Sequence, residues 1–403
     1  MIAKASAAGR ILLLTIIALA PVAYAQEPDQ RELEEQARQQ AFRDEMTAIV
    51  DDLNRGSFAR LAAAIDADEM LEAIYGLRLI DTRMKRDFSE QMALPGQFEN
   101  FIRSQYQAET EAGIKAHLLL VESRGDRGRG VVRFDMPYFQ ANYIEYDLKL
   151  AAADKVQVLD WTDYGWGHRF TDRIGLQMIA TQPNESAARK LLDFPSAQQA
   201  DIFQMMEVLK AARDYKFERY WEIIETLDED MRRQRVIWKL GLDAARDARK
   251  RRDQRRVLEA IDQYYPQDVL FALPLLDYYF PDRKYEQARA ALVRVQDKLG
   301  VDDALTKARL SSADLVMGNT AAALSLAKEA TEQEPALELG WWSLFRAQVA
   351  FADNAAAAET LSRLADTFGH DLDAETLAKD PALRAFVASE EFRAWQQGRD
   401  NGG

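Results

Sequence analysis

The stretch 338–371, ELGWWSLFRAQVAFADNAAAAETLSRLADTFGHD, decides the architecture. Trp341 and Leu344 stand three residues apart in its first half, and Ala357, Leu361 and Leu364 recur at intervals of four and three in its second. Such spacing places apolar groups on one face of each of two consecutive helices. The preceding stretch, Ala304 to Leu337, offers Leu310, Ala323, Ala327, Ala330 and a closing Pro335. Before that, Val269 to Asp303 offers Leu275, Tyr279, Ala288, Leu292 and Val295, and Arg235 to Asp268 offers Trp238, Ala245, Leu258, Ile261 and a closing Pro266. Trp238 and Trp341 lie 103 residues apart, which divides into periods of 34, 35 and 34, and Pro266 and Pro335 lie 69 apart, or one period of 34 and one of 35. Two unrelated markers thus share one frame. A fainter unit starting at Asp201 keeps Ala211, Tyr220, Ile224 and Leu227.

A period near 34, with a large residue and Leu on the first helix, Ala positions on the second and a closing Pro, resembles the tetratricopeptide repeats. The resemblance covers residues 201–371, about five helix pairs. It departs from the family pattern beside the first-helix Leu, where the expected glycine is Phe345 in the clearest unit and Ser311 in the one before. It implies an all-α solenoid in which each pair buries its apolar face on its neighbours, leaving a protein-binding groove. Trp238, Leu258, Pro266, Leu292, Pro335, Trp341, Leu344 and Leu361 are its expected core. Residues 372–397, from Asp380-Pro381 through Phe392 and Trp395, resemble the capping helices of such arrays, with 398–403 expected as a disordered tail.

Upstream the character differs. Residues 26–45 read as a polar leader, and 46–178 as an α+β domain. Its first part has helical spacing at Ile49, Leu53, Leu61, Ile65, Met70, Ile74 and Leu77. Four strand-length segments follow, Ala116 to Val121, Val131 to Met136, Tyr143 to Leu150 and Val156 to Trp161. The run Gly125-Asp126-Arg127-Gly128-Arg129-Gly130 reads as a hairpin loop. A phosphate cradle would lead into a helix, and here a strand follows. Helices and then a four-stranded antiparallel meander make an α+β layer, which resembles the cone folds of the nuclear-transport-factor and ketosteroid-isomerase type. Residues 179–200, with Pro183, Asn184 and Pro195, read as the linker to the repeats.

The first 25 residues read as a signal peptide. Lys4 and Arg10 precede an apolar run from Ile11 to Ala20, and Ala23-Tyr24-Ala25 supplies a small-x-small cleavage site. The expected address is the periplasm of a Gram-negative bacterium or the exterior. No later stretch is long and apolar enough to span a bilayer. The chain has no cysteine, which excludes disulfides and thiolate metal sites. A net charge of −14 argues against general nucleic-acid binding.

No catalytic motif stands out. The three histidines, His117, His168 and His370, share no metal-ligand spacing, and no nucleophile elbow or phosphate-binding loop occurs. Neither a cofactor nor a metal is implied. The strands do carry alternating polar groups: Arg133 and Asp135, Glu145 and Asp147, then Asp160 and Asp163, with His168 in the loop after them. In a cone fold such groups line a cavity, which makes His117, Asp160, Asp163 and His168 the ligand-binding candidates. On an ordinary half-covered sheet they face water, and that reading is preferred. Met231 to Arg256 holds eleven basic and three acidic residues. Arg246, Arg249, Arg252 and Arg256 are its candidates for an anionic partner, set against a solvated helix face. The leading expectation is a non-enzymatic interaction or scaffold protein that uses the repeat groove for protein partners as yet unidentified. The alternatives are a small-molecule or enzymatic cavity in the α+β domain, and envelope-surface attachment through 231–256.

Overall fold

The computed structural model describes residues 30–77, 80–151, 155–181, 185–192 and 198–402. The signal-like segment 1–25 therefore lies outside the described residues, as do Pro183, Asn184 and Pro195 of the expected linker.

The chain begins its described course with a long helix, α1 (Gln30–Asn54), free of Gly and Pro and rich in Glu, Gln, Arg and Ala. The expected polar leader is thus already helical from Gln30. Gln39 ties that part of the helix down by donating to the Val121 carbonyl at 2.6 Å. Phe42, Met46, Ile49, Val50 and Leu53 form its buried stripe. Five shorter helices follow, α2 (Ala59–Ala64), α3 (Ala67–Gly76), α4 (Thr82–Met92), α5 (Gln97–Gln105) and α6 (Gln107–Ala112). The sheet is an antiparallel meander in chain order, β1 (Ala116–Arg124), β2 (Arg127–Met136), β3 (Gln140–Leu150), β4 (Val156–Asp163) and β5 (His168–Arg169). The two-residue β5 is an addition to the four expected strands.

The glycine run at 125–130 is mostly strand. Only Gly125-Asp126 forms the turn, with Gly125 at φ +65°, the left-handed geometry a tight hairpin demands. Gly128 and Gly130 belong to β2 because α1 crosses there. A Cβ on Gly128 would sit 3.2 Å from the Phe42 ring, and one on Gly130 2.9 Å from the Met46 methyl carbon. Close helix–strand approach explains the composition, which looks like loop chemistry from the sequence.

Helix α7 (Phe170–Thr181) joins the two halves. Its Phe170 and Ile174 pack with the N-terminal helices and one sheet face, and its Leu176 and Ile179 pack with the helices that follow. The described part of the expected linker is folded as well. Helix α8 (Glu185–Leu191) and the residue after it bury Ala188 and Leu192 in that second core.

The rest is helical: α9 (Gln199–Arg213) with α10 (Phe217–Thr226), a single turn α11 (Glu229–Arg232), then four pairs. These are α12 (Arg235–Asp247) with α13 (Arg251–Tyr264), α14 (Val269–Tyr279) with α15 (Tyr285–Leu299), α16 (Ala304–Val316) with α17 (Thr320–Gln333), and α18 (Glu338–Ala350) with α19 (Asn354–Phe368). Positive φ recurs at Tyr215, Arg249, Arg283, Gly318 and Ala352, in the turn inside each of the five pairs, at intervals of 34, 34, 35 and 34. The backbone repeats with the period of the side chains. Trp238 and Trp341 also do the same work: each indole N–H donates to the carbonyl six residues earlier, Arg232 O at 2.7 Å and Pro335 O at 2.9 Å.

Six of the eight expected core residues behave as markers of packing: Trp238, Leu258, Leu292, Leu344 and Leu361 are buried and Trp341 is half-buried. Pro266 and Pro335 are exposed. They sit after α13 and α17, where a missing N–H and fixed φ stop a helix, and contribute carbonyls rather than packing. The capping segment comprises α20 (Ala374–Ala378), α21 (Arg384–Val387) and α22 (Glu390–Gly402), with Leu377, Leu383, Phe386 and Phe392 buried against Phe345, Leu361 and Leu364. Helix α22 continues through Gly402 where a frayed tail was expected. Arg399, paired with Asp366 at 2.7 Å and stacked on Trp395, anchors it to α19.

Candidate functional site

Both faces of the sheet are largely covered. Val132, Phe134, Ile144, Tyr146, Leu148 and Val158 point toward the N-terminal helices. Val131, Tyr143 and Tyr164 belong to the core of the helix pairs, with Leu119, Leu120 and Ala141 packed on it. The preferred expectation for the alternating polar groups, a water-facing surface, is therefore overturned for Arg133, Glu145, Asp160, Asp163 and His168, which are buried, and holds for Asp147, whose side chain stays half-exposed. The first helices of successive pairs lie against that second face. On α12, Asp243 meets His168 and Arg246 donates to the Gly165 carbonyl at 2.6 Å. At α14, the Leu270 carbonyl closes on Gly167 so tightly that a Cβ there would lie 2.6 Å away. At the start of α16, Tyr143 donates to Asp303 at 2.6 Å and meets Thr306 at 2.7 Å. The groove that an array of pairs presents is occupied here by the chain's own sheet.

Arg133 is the centre of this docking. Its side chain has no exposed surface, and it donates to Asp303 at 2.6 Å, to both Glu334 oxygens at 2.9 Å and to Asp135 at 2.8 Å. Desolvation opposes its charge, but Glu334, Asp303 and Asp135 outweigh that and raise its pKa further. Asp135 is subject to the same contest. Burial works against the carboxylate, while the His117 hydrogen bond and the Arg133 charge together hold it below its ordinary range. His117 Nε2 lies 3.0 Å from Asp135 Oδ2 with its ring half-exposed.

Beyond this network the sheet ends and the groove is open. A cleft of about 870 Å³ lies between β1 and the turn after β2 on one side and the α17–α18 connection on the other. His117, Asp135, Glu334, Glu338 and Lys115 are among its polar lining, and Leu305, Leu337, Met136 and Phe368 among its apolar lining. Tyr138 stands at its lip in left-handed backbone (φ 60°) with 94 % of its surface exposed. A second histidine–carboxylate pair, His370 Nε2 with Glu338 Oε1 at 2.7 Å, faces it from the repeat side, with Trp342 edge-on to the imidazole.

No family model, no curated protein and no solved structure matches this chain. The site must be read from its own chemistry.

The other candidates are dispersed. Asp160 is saturated by Trp161 N, Thr171 N and Oγ1, and Arg169, and so fixes the entry to α7. His168 is buried against Asp243, and desolvation lowers its pKa despite that carboxylate. Asp163 turns to the opposite sheet face, accepting from Trp166 N at 2.9 Å. There it belongs to a buried group with Glu109, Asn142, Tyr106 and Tyr146. Asn142 donates to Glu109 at 2.9 Å, and the two tyrosine hydroxyls are 2.8 Å apart. Burial, and next the Asp163 charge, push the Glu109 carboxyl up to about 7. A proton-holding carboxylate beside tyrosines is acid–base chemistry in kind. All the same, Glu109, Asp163, Tyr106 and Tyr146 are each less than a tenth exposed, and Phe58, Phe134 and Trp161 crowd the Tyr106 ring. The space where a cone fold would hold a ligand is filled by aromatic side chains.

Met231 to Arg256 is not one helix but the end of α11, all of α12, the first part of α13 and the turns between them. Arg246 is largely covered and stacks on Trp166. Arg256 pairs with Glu225 at 3.0 Å, and Arg249 reaches Glu111 at 3.8 Å. Arg252 is exposed. Sequence reasoning missed Tyr143, Asp303, Glu334, Glu109 and Tyr138. Asp303 had a visible signal as the N-cap of α16, accepting from Thr306 N at 2.9 Å, but nothing in one strand of sequence joins it to Arg133.

Proposed function

We propose that this is an exported, non-enzymatic interaction protein with tetratricopeptide-like repeats, and that it captures a partner polypeptide in the junction cleft. The observation that carries the reading is the way the groove is shared. The chain's own sheet covers the helices from α12 to the start of α16, and the cleft is what remains open beside α18. An apolar floor with polar groups at its rim suits an extended segment with an apolar anchor, whose backbone groups find partners at the edge. Tyr138 supports this, since strained backbone that keeps a large aromatic in water is costly unless something binds it. Export is inferred from the Lys4, Arg10 and Ala23-Tyr24-Ala25 pattern. The test is site-specific photo-crosslinking in bacterial envelopes, with the probe at Tyr138 and, as control, at Leu33, which is exposed on α1 far from the cleft in sequence. One discrete protein adduct from position 138 alone is expected. Equal labelling from both positions, or none from 138, contradicts the reading.

A further inference from the structure

The basic stretch is not absorbed by the junction cleft, and its placement repeats along the molecule. In the turn inside each pair, the left-handed residue and the one after it are Tyr215-Lys216, Arg249-Lys250 and Arg283-Lys284, then Gly318-Asn319 and Ala352-Asp353. The last two pairs meet the turn with the small residues Gly318 and Ala352, and in the last of them Asp353 caps the helix by accepting from Ala356 N. The first three place bulky or cationic side chains on strained backbone instead, and Tyr215, Arg249 and Arg283 are exposed. Lysine at the start of a helix also opposes the helix dipole. Lys216 is offset by Asp214 of its own turn at 3.2 Å and Lys284 by Asp262 at 3.0 Å, whereas Lys250 has no such partner among the described residues.

Between the first two of these turns lies a cleft of about 640 Å³, lined by Lys216, Arg219, Lys250, Arg252 and Arg256 around Trp221. Its carboxylates are mostly engaged. Asp253 accepts from the Trp221 indole at 2.8 Å, and Glu222 from Arg219 at 3.1 Å. Arg256 is held over the Trp221 ring at 3.9 Å. Glu218 is the remaining acid of the lining. Lys250, Arg251 and Arg252 are consecutive and exposed, and show no carboxylate partner among the described residues. This concentration of positive charge stands in a chain of net charge −14.

We propose that this edge of the repeats is a docking surface for an anionic bilayer, with a lipid phosphate seated in the cleft between Lys216, Lys250 and Arg252. Charge complementarity supplies the attraction, chiefly through the exposed run Lys250, Arg251 and Arg252. Tyr215, half-exposed at the lip, sits where an amphipathic ring meets the headgroup layer. The surface is separate from the junction cleft and does not depend on it.

The experiment is co-sedimentation of the full chain with vesicles of phosphatidylglycerol and phosphatidylcholine, beside vesicles of phosphatidylcholine alone. Binding to the anionic vesicles only is expected, weakening at least tenfold between about 50 and 500 mM salt as exposed charges are screened. The variant K250Q/R251Q/R252Q should lose binding on the order of a hundredfold, each basic residue near an anionic surface being worth roughly fivefold. Arg255→Gln, a cation of the same helix already paired with Asp282, should bind as the wild type does. The single variant Arg252→Gln gives a graded loss should the triple variant fold poorly, and circular dichroism checks each. No binding to anionic vesicles at low salt overturns the proposal. So does equal binding by the triple variant, or saturation by millimolar inorganic phosphate of a protein that ignores vesicles.

Discussion

Arg133 of β2 and Asp303 at the head of α16 lie 2.6 Å apart, both essentially closed to solvent, although 170 residues separate them. Their pairing makes the α+β layer and the repeats one structure. A buried ion pair adds little over a well-packed apolar substitute, but leaving one partner behind is costly. Arg133→Met should therefore destabilise the protein by about 3–5 kcal/mol, read by urea denaturation. The combined variant R133M/D303N should recover part of that loss.

Gly167 gives a second view of the same docking. Its φ is +74°, and a Cβ would lie 2.6 Å from the Leu270 carbonyl oxygen. Gly167→Ala meets left-handed strain and a backbone clash together, and neither neighbour can swing aside as a flexible side chain would. A loss of about 2 kcal/mol or more is expected. Hydrogen exchange should quicken in both β5 and α14, not in β5 alone.

His168 contributes acid sensitivity above the range in which ordinary carboxylates titrate. Its Nε2 faces Asp243, and its Nδ1 is buried with no hydrogen-bond partner, so a second proton has nowhere to donate. Desolvation places its folded pKa below the ordinary value of about 6.5. The unfolded chain then binds the proton first as pH falls through about 6.5, and folding stability declines from there. Asp135, held below its usual range, adds a further loss beneath about pH 4. In a Glu109→Gln background, where the opposing proton of Glu109 is absent, thermal midpoints measured from pH 7.5 to 5 should fall, and adding His168→Gln should flatten that slope.

Glu109 predicts the opposite sign. Its folded pKa, near 7, lies above the unfolded value of about 4.3. Its stabilising contribution is full below about pH 4 and is lost as pH rises to 7. Glu109→Gln keeps an acceptor for the Asn142 amide and removes the buried charge. The variant should melt higher than the wild type at pH 8, and the difference should shrink toward pH 5.

The repeats were readable in the sequence because their helices are local and periodic. Unit starts at Arg235, Val269, Ala304 and Glu338 coincide with the first residues of α12, α14, α16 and α18. The strands were readable for the same reason, with β-branched and aromatic runs between turns. What covers the sheet was not readable. Arg133, Asp135 and Glu145 alternate along their strands as solvated residues do, and only the long-range partners Asp303, Glu334 and Lys298 distinguish burial from exposure. The glycines at 128 and 130 misled in the same way. Their reason is α1, some 80 residues earlier in the chain.

Zero-length carbodiimide crosslinking tests the occupied groove most directly, because it joins an amine to a carboxylate only where they touch. Lys298 at the end of α15 lies 3.8 Å from Glu145 in the middle of β3. Lys307 and Asp302, local to the start of α16, lie 2.7 Å apart and serve as internal control. Mass spectrometry of the digested full chain should find the peptide of β3 joined to that of α15 as well as the control link. Recovery of the Lys307–Asp302 link with no β3–α15 product would mean that the sheet does not sit in the groove.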